Sequence, residues 1–163
     1  MPPRFFVDQL LYSDQAIRLP AGVARHVQVL RLQPGDDLNL FDGVGREWSA
    51  QIVKMGRSDV EVKLGLAVPG LPELRCAVTL AIGVPANERM DSLIEKATEL
   101  GVAVLQPLLC ERSVLRLQGE RAIKKLAHWQ AVAVAASEQC GRASVPVVAP
   151  MQNLQGWLNG LGK

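Results

Sequence analysis

A group of polar side chains follows an apolar stretch in the second half of the chain, in the sequence AVAVAASEQCGR (131–142). Burying a carboxylate or an amide without a hydrogen-bond partner is costly, so these groups need the backbone, a neighbouring subunit or a substrate. A helix end accounts for Gly141 and Arg142, because glycine terminates helices and a cation suits the negative end of the helix dipole. It does not account for Glu138 and Gln139 together.

Two other loops carry arginine where anionic ligands bind. PANER (85–89) and CERSVLR (110–116) each follow an apolar run that is typical of a buried strand. Ligands of parallel sheets gather beyond the carboxyl ends of the strands, and guanidinium pairs with phosphate through two hydrogen bonds. Arg89 and Arg112 are therefore candidate RNA contacts. The alternative for Arg89 is a surface ion pair at a helix end.

Further basic residues could follow a phosphate backbone. Arg4, Arg25 and Arg31 lie in the first 70 residues, and Lys124 and Lys125 lie on a predicted helix. Such a charged helix face is usually only solvated surface. The net charge is +2, so a nucleic-acid surface depends on where the cations are placed and not on bulk charge.

Several kinds of chemistry have little support in the sequence. The three cysteines, Cys76, Cys110 and Cys140, form no CxxC pair, which favours a reduced, cytoplasmic protein. The two histidines give a metal few ligands, and we predict none. No glycine-rich nucleotide loop of the common types is present, and no apolar run reaches the roughly 18 residues of a membrane helix.

The first 70 residues are predicted to be rich in β-strands. RFFV (4–7) and DVEVKLG (59–65) are strand candidates, and residues 38–53 form two strand-like runs around an Asp-Gly turn. A helix is predicted over residues 21–32. This content suggests a small barrel over residues 1–70. A linker rich in proline and glycine follows, which we place at 71–75.

Residues 76–163 alternate predicted strands and helices. Strands are expected at 76–85, 102–110 and 145–150, and helices at 87–101, 119–141 and 153–160. This order predicts a parallel α/β sheet with helical crossovers. The apolar composition of 131–136 predicts burial of that part of its helix.

Long segments of the chain resemble one family of enzymes. The segments are ERMDSLIEKATELGV (88–102), ERSV (111–114), KKLAHWQAVAVAASEQCGR (124–142) and VP (145–146), with RFF, HVQVLRLQPGD (26–36) and LFDGVGREWSAQI (40–52) in the first part. They resemble the ribosomal RNA small subunit methyltransferase E family in the same order and over nearly the whole chain.

The resemblance implies a mixed α/β protein of two domains. The first would be a PUA-like RNA-binding β-barrel, and residues 76–163 would be the first part of a SPOUT-type parallel α/β sheet. The implied activity is S-adenosylmethionine-dependent methylation of N3 of a uridine in 16S rRNA, by a homodimer acting on the small ribosomal subunit. Glu138, Gln139 and Arg142 would then edge the catalytic cavity, with Arg89 and Arg112 nearby.

The family pattern also includes a glycine-rich loop and a later arginine–threonine segment, in the region of the trefoil knot that holds the cofactor. Neither occurs in this sequence. The cofactor-binding residues are expected beyond Lys163, and the 163 residues alone are expected neither to bind S-adenosylmethionine nor to turn over. Two alternatives stay open, a non-catalytic rRNA-binding module with a scaffolding α/β domain and a dimerising α/β domain without a ligand.

Overall fold

The computed structural model describes residues 2–85, 87–111 and 119–161, without the side chains of Pro69 and Asn87. The chain divides into two compact units. The first comprises Met1–Glu73 and Gly141–Ser144, and the second comprises Leu74–Cys140 and Val145–Lys163. The four residues of the return segment, Gly141–Ser144, had been assigned from the sequence to the second domain.

The first unit contains a five-stranded sheet and one helix. The strands are β1 (Arg4–Phe6), β2 (Ala16–Arg18), β3 (Asp37–Phe41), β4 (Arg46–Met55) and β5 (Val60–Pro69), and α1 (Ala21–Val29) joins β2 to β3. The strand order is β1-β3-β4-β5-β2, with β1 parallel to β3 and the other pairs antiparallel. The sequence had not predicted β2. Closure of this sheet into a barrel stays a prediction.

Alternation along the strands builds the core of this unit. In β4, Trp48, Ala50 and Ile52 are buried on one face and pack with residues of the other strands and of α1. Glu47 points to the opposite face of the strand. In a strand with one buried face that position is normally exposed, but Glu47 is also buried. A buried carboxylate outside the core pattern requires a specific partner.

The second unit contains a parallel sheet, as the sequence predicts. Its strands are β6 (Thr79–Gly83), β7 (Val104–Leu109), β8 (Val147–Val148) and β9 (Gln152–Asn153), and its helices are α2 (Asn87–Glu99), α3 (Glu120–Cys140) and α4 (Leu154–Gly160). The order is β6-β7-β8, and β9 also pairs with β7 beyond the end of β8.

Helices α2 and α3 run side by side in the same direction. Asp91 near the start of α2 lies against His128 of α3, and Glu99 at the end of α2 shares a cavity with Gln139 at the end of α3. The same orientation follows from a βαβαβ order, in which both helices return from the carboxyl edge of the sheet to its amino edge. Both pack on one core that includes Trp129, the largest fully buried side chain.

Two burial predictions for this unit were wrong in part. Strand β6 is half-buried over Leu80–Ile82 and exposed at both ends, whereas its composition had predicted cover on both faces. In α3, Ala133 and Ala136 are buried but Ala131 and Ala135 are exposed. The apolar helix therefore presents only one of its faces to the core of this unit.

Candidate functional site

The end of α3 lies at the amino edge of the second sheet. The chain leaves α3 at Cys140 and enters β8 at Val147, which pairs with Val104, the first residue of β7. Glu138 is half-buried and Gln139 is exposed, where it lines a cavity of 480 Å³ together with Glu95, Lys96, Glu99, Val132, Ala135 and Ala136.

Arg89 lies at the other end of the helix pair. It is exposed in the first turn of α2, which follows the carboxyl end of β6. Arg89 and Glu99 are ten residues apart, about 15 Å along a helix axis. Gln139 lies beside Glu99, so the second unit brings Arg89 and Gln139 to opposite edges of its sheet. The predicted neighbour Arg112 lies outside the described residues.

Arg142 belongs to the first unit and has a carboxylate partner there. Its Nη2 donates a hydrogen bond of 2.7 Å to Oε2 of Glu73, and its side chain is 9% exposed. The sequence analysis had not singled out Glu73, because a single glutamate in a proline-rich linker has no distinctive signal. The placement favours a structural role for Arg142 over direct contact with a substrate.

Arg4 is also buried in the first unit. Its guanidinium donates to both carboxylate oxygens of Glu47, at 3.1 Å and 2.7 Å, and lies 4.9 Å from the centre of the Phe41 ring. The amide of Asn39 donates to the same carboxylate at 2.7 Å. Burial by itself raises the pKa of Glu47, but the bonds from Arg4 and Asn39 outweigh it and hold the pKa below the usual value. This placement favours a structural role for Arg4 over the predicted RNA contact.

The other predicted RNA-binding cations differ in their surroundings. Arg25 and Arg31 are exposed on and after α1, and within the described residues neither forms an ion pair. Lys124 is exposed, 3.9 Å from Glu120 on the preceding turn. Lys125 is mostly covered, with its ammonium 5.6 Å from the centre of the Trp129 ring. Of these four cations, Arg25 and Arg31 are exposed and without an ion pair to any described residue.

A cavity of 580 Å³ lies at the carboxyl edge of the second sheet. Its lining comprises Leu109, Cys110, Glu111, Asn153, Leu154 and Gln155. The edge beyond the carboxyl ends of parallel strands is where ligands of such sheets bind, and the volume is typical of small-molecule sites. Sequence reasoning had identified this loop through its arginines and had missed the contribution of β9 and α4.

The wall of this cavity depends on an irregularity beside β7. Between the two paired segments, Gln106 and Pro107 of β7 face the three residues 149–151, so the β8–β9 side carries one extra residue. Pro107 has no N–H to donate towards that side. The side chain of Gln106 compensates, since its Nε2 donates to the carbonyl of Pro150 at 2.9 Å and its Oε1 accepts from Gln152.

Replacing Gln106 with leucine should therefore loosen the cavity wall. Gln106 is 5% exposed, and the change leaves the Pro150 carbonyl without its amide donor. We expect a loss of about 1–3 kcal/mol in the free energy of unfolding and faster hydrogen exchange of the amides of residues 151–156. The control is Gln51→Leu, which removes an exposed amide bound to the carbonyl of Gly35. Equal effects of the two changes would contradict the role of Gln106 in supporting the cavity wall.

A polar cluster joins α2 to α3 away from this cavity. Nε2 of His128 lies 2.7 Å from Oδ2 of Asp91, and the ammonium of Lys125 lies 3.9 Å from Oδ1. Among the described residues, neither Oδ1 of Asp91 nor the indole N–H of Trp129 has a hydrogen-bond partner. The cluster links the helices and accounts for His128 without a catalytic role.

The described part of the chain contains no group of three or more potential metal ligands, and none of its helices is long and apolar enough to cross a membrane.

Comparisons with known proteins identify the family. Residues 72–163 match the model of an RNA methyltransferase domain, and residues 19–65 match that of an RNA methyltransferase PUA domain. A ribosomal RNA small subunit methyltransferase E of Synechocystis is 38% identical over 122 residues, covering 75% of this chain. The same-named protein of Mycobacterium bovis is 35% identical over 145 residues, covering 88% of this chain. The chain belongs to the ribosomal RNA small subunit methyltransferase E family.

A solved structure of this family has the same fold. The Neisseria gonorrhoeae methyltransferase E, a crystal structure bound to S-adenosylmethionine, matches 98% of this chain with a TM-score of 0.94 and 35% identity. The present chain spans 66% of that protein, and 38% and 55% of the Synechocystis and Mycobacterium relatives. The predicted family and the PUA-like first domain are therefore confirmed.

Proposed function

We propose that the protein methylates N3 of a uridine in 16S rRNA of the small ribosomal subunit, with S-adenosylmethionine as the methyl donor, in the cytoplasm. The observation that carries the proposal is the match of residues 72–163 to an RNA methyltransferase domain, joined in one chain to a PUA domain. A methyl donor that is already activated leaves the protein to supply alignment and electrostatic stabilisation.

The cavity at the carboxyl edge has the chemistry that a nucleoside-containing cofactor needs. Leu109 and Leu154 offer apolar surface to an adenine ring, and the carboxylate of Glu111 can accept hydrogen bonds from ribose hydroxyls. When bound there, the cofactor would supply an electrophilic methyl group. We propose these residues as part of its binding site. Calorimetric titration of residues 1–163 with S-adenosylmethionine tests this: one-to-one binding would support the proposed site and would contradict the expectation, drawn from the sequence, that these residues alone do not bind the cofactor.

The target base has to be turned out of its stack and lose the proton on N3 before methyl transfer. Glu138 and Gln139 are the residues that we propose for contact with the base. A carboxylate can accept a proton, and an amide can bind the uracil carbonyls. As negative charge develops on those carbonyls, a cation such as Arg89 would stabilise it.

In a homodimer, Gln139 and Arg89 could contribute to the same catalytic site. Gln139 and Arg89 of one chain lie at opposite edges of the sheet, so a shared site would take one of them from a second copy. The exposed face of α3, where Ala131 and Ala135 lie, has the small side chains that permit close helix packing. Mixing a Gln139→Ala variant with an Arg89→Ala variant tests this, because hybrid dimers would regain turnover at one site if the site is shared.

Arg25 and Arg31 are the proposed phosphate contacts of the PUA domain, since both are exposed and unpaired within the described residues. We expect the double variant Arg25→Gln/Arg31→Gln to bind small-subunit rRNA about tenfold more weakly, with a salt dependence reduced by about two counterions. Filter binding at several salt concentrations measures both. The control is Lys63→Gln, an exposed cation on β5, and an equal loss in this variant would contradict the assignment.

The activity is tested with the purified chain, radiolabelled S-adenosylmethionine and small ribosomal subunits, followed by mass spectrometry of the nucleosides. Formation of 3-methyluridine would support the proposed reaction and would contradict the expectation that the 163 residues alone do not turn over. Salt-dependent rRNA binding without methyl transfer by this chain would favour the non-catalytic RNA-binding module for the 163 residues.

A further inference from the structure

The return segment 141–144 is built into the first unit by its backbone. The N–H of Gly45 donates to the carbonyl of Ala143 at 3.1 Å, and Ser144 forms β-bridges with Gly43 and Val44. The guanidinium of Arg4 donates to the carbonyl of Arg142 at 3.2 Å. The segment therefore pairs through its backbone with the β3–β4 turn, as a residue of an additional strand would.

Close packing leaves little freedom for this segment. A Cβ atom placed on Gly70 would lie 2.6 Å from Cβ of Ala143 and 3.0 Å from the carbonyl oxygen of Gly45. Ala143 itself is 1% exposed. A side chain at position 70 would displace the segment, so the glycine is required by the close approach of two stretches of backbone.

Arg142 adds a charged contact at the start of the segment. Its ion pair with Glu73 is 2.7 Å long, and its side chain is 9% exposed against 38% for Glu73. A guanidinium this well covered needs its partner, because an unpaired buried charge is far more costly than an exposed one. Glu73 is the last residue of the first part of this unit, so the pair closes the chain segment 73–142 at its two ends.

The Arg142–Glu73 ion pair lies only two residues beyond the end of α3 in the sequence. The helix ends at Cys140, and Gly141 follows with a φ of +90°, which a glycine adopts without strain. Glu138 is therefore only four residues from the side chain that Glu73 holds. The return segment therefore follows the polar end of α3 directly along the chain, with only Cys140 and Gly141 between Gln139 and Arg142.

We infer that Arg142 is a positioning residue, which pairs with Glu73 to anchor the return segment, the stretch of chain that directly follows the end of α3 carrying Glu138 and Gln139. The inference rests on the proposed function where it concerns turnover, and on the geometry alone where it concerns the segment. It replaces direct contact with the substrate as the role of Arg142.

Hydrogen exchange on the intact chain tests the anchor without any activity. The reporter is the N–H of Gly45, which is bonded to Ala143. We expect Arg142→Gln and Glu73→Gln each to speed its exchange at least tenfold, and the double variant to add little to the larger single effect. The control is Arg18→Gln, which breaks an exposed ion pair with Asp59 in the same unit. Unchanged exchange at Gly45 in both single variants would overturn the inference.

Kinetics of methyl transfer separate positioning from direct catalysis. If Arg142 acts through Glu73, both single variants should lower kcat by a similar factor, with the KM for rRNA little changed and non-additive effects in the double variant. A loss of kcat in Arg142→Gln that Glu73→Gln does not share would overturn it. Absence of turnover in the unmodified chain would agree with the expectation that the 163 residues alone do not turn over, and the exchange experiment would then decide on the anchor.

Discussion

Arg4→Met is expected to destabilise the first unit by about 3–5 kcal/mol, because it leaves a carboxylate buried without its cation. Glu47 has a side chain that is 10% exposed, and the guanidinium of Arg4 contacts both of its oxygens. Urea unfolding followed by tryptophan fluorescence measures the loss, since Trp48 lies in the core of this unit.

The double variant Arg4→Met/Glu47→Met is the control for this prediction. Replacing both partners with apolar residues removes the unpaired charge, so the double variant should be more stable than Arg4→Met alone. A double variant that is less stable than Arg4→Met would show that packing of the two side chains, and not their charges, determines the effect.

The same pair predicts a dependence of stability on pH. The pKa of Glu47 in the folded chain is held below its usual value of 4.5, so the carboxylate stabilises the fold above that pH. This contribution should be lost as the pH falls through the lower folded pKa. In Arg4→Met only burial and Asn39 act on the carboxyl, so the decline below pH 4.5 should become shallower. Unfolding at pH 3, 4 and 6 measures the difference.

Trp129→Ala is expected to have a comparably large effect on the second unit. Trp129 is 1% exposed and packs in the core shared by α2, α3 and the sheet, and removing a buried aromatic ring costs about 3–5 kcal/mol. Thermal unfolding followed by far-ultraviolet circular dichroism measures the loss of the helices.

Two companion variants define the cause. Trp129→Phe keeps a ring in the core and removes an indole N–H that has no hydrogen-bond partner among the described residues, so it should cost much less. Ile123→Ala on the same helix removes a side chain that is 69% exposed and should change stability by less than about 0.5 kcal/mol. A phenylalanine variant as unstable as the alanine variant would contradict cavity formation as the mechanism.

Local patterns in the sequence predicted most of the elements. The alternation over 59–65 and the Asp-Gly turn indicated β5 and the β3–β4 hairpin, and helical spacing located α2 within two residues of its observed end at Glu99. The short strand β2 was missed because Ala16–Arg18 is only three residues long, too few to display a period.

The roles of individual charges were less predictable, since they depend on contacts between distant parts of the chain. Arg4 and Glu47 are 43 residues apart, and Arg142 and Glu73 are 69 apart. The sequence shows where each arginine lies along the chain, but it does not show which carboxylate that arginine pairs with in the folded protein. Arg25 and Arg31 differ from Arg4 only through tertiary structure, and that difference separates candidate RNA contacts from a buried structural ion pair.

Gln130 of α3 determines where the second sheet can be extended. Its Oε1 accepts from the N–H of Val148 and its Nε2 donates to the carbonyl of Pro146, the two groups that point outward from β8. A single side-chain amide thereby imitates a neighbouring strand and blocks edge-to-edge association on that side. A further strand could pair with β8 on that side only by displacing the amide of Gln130.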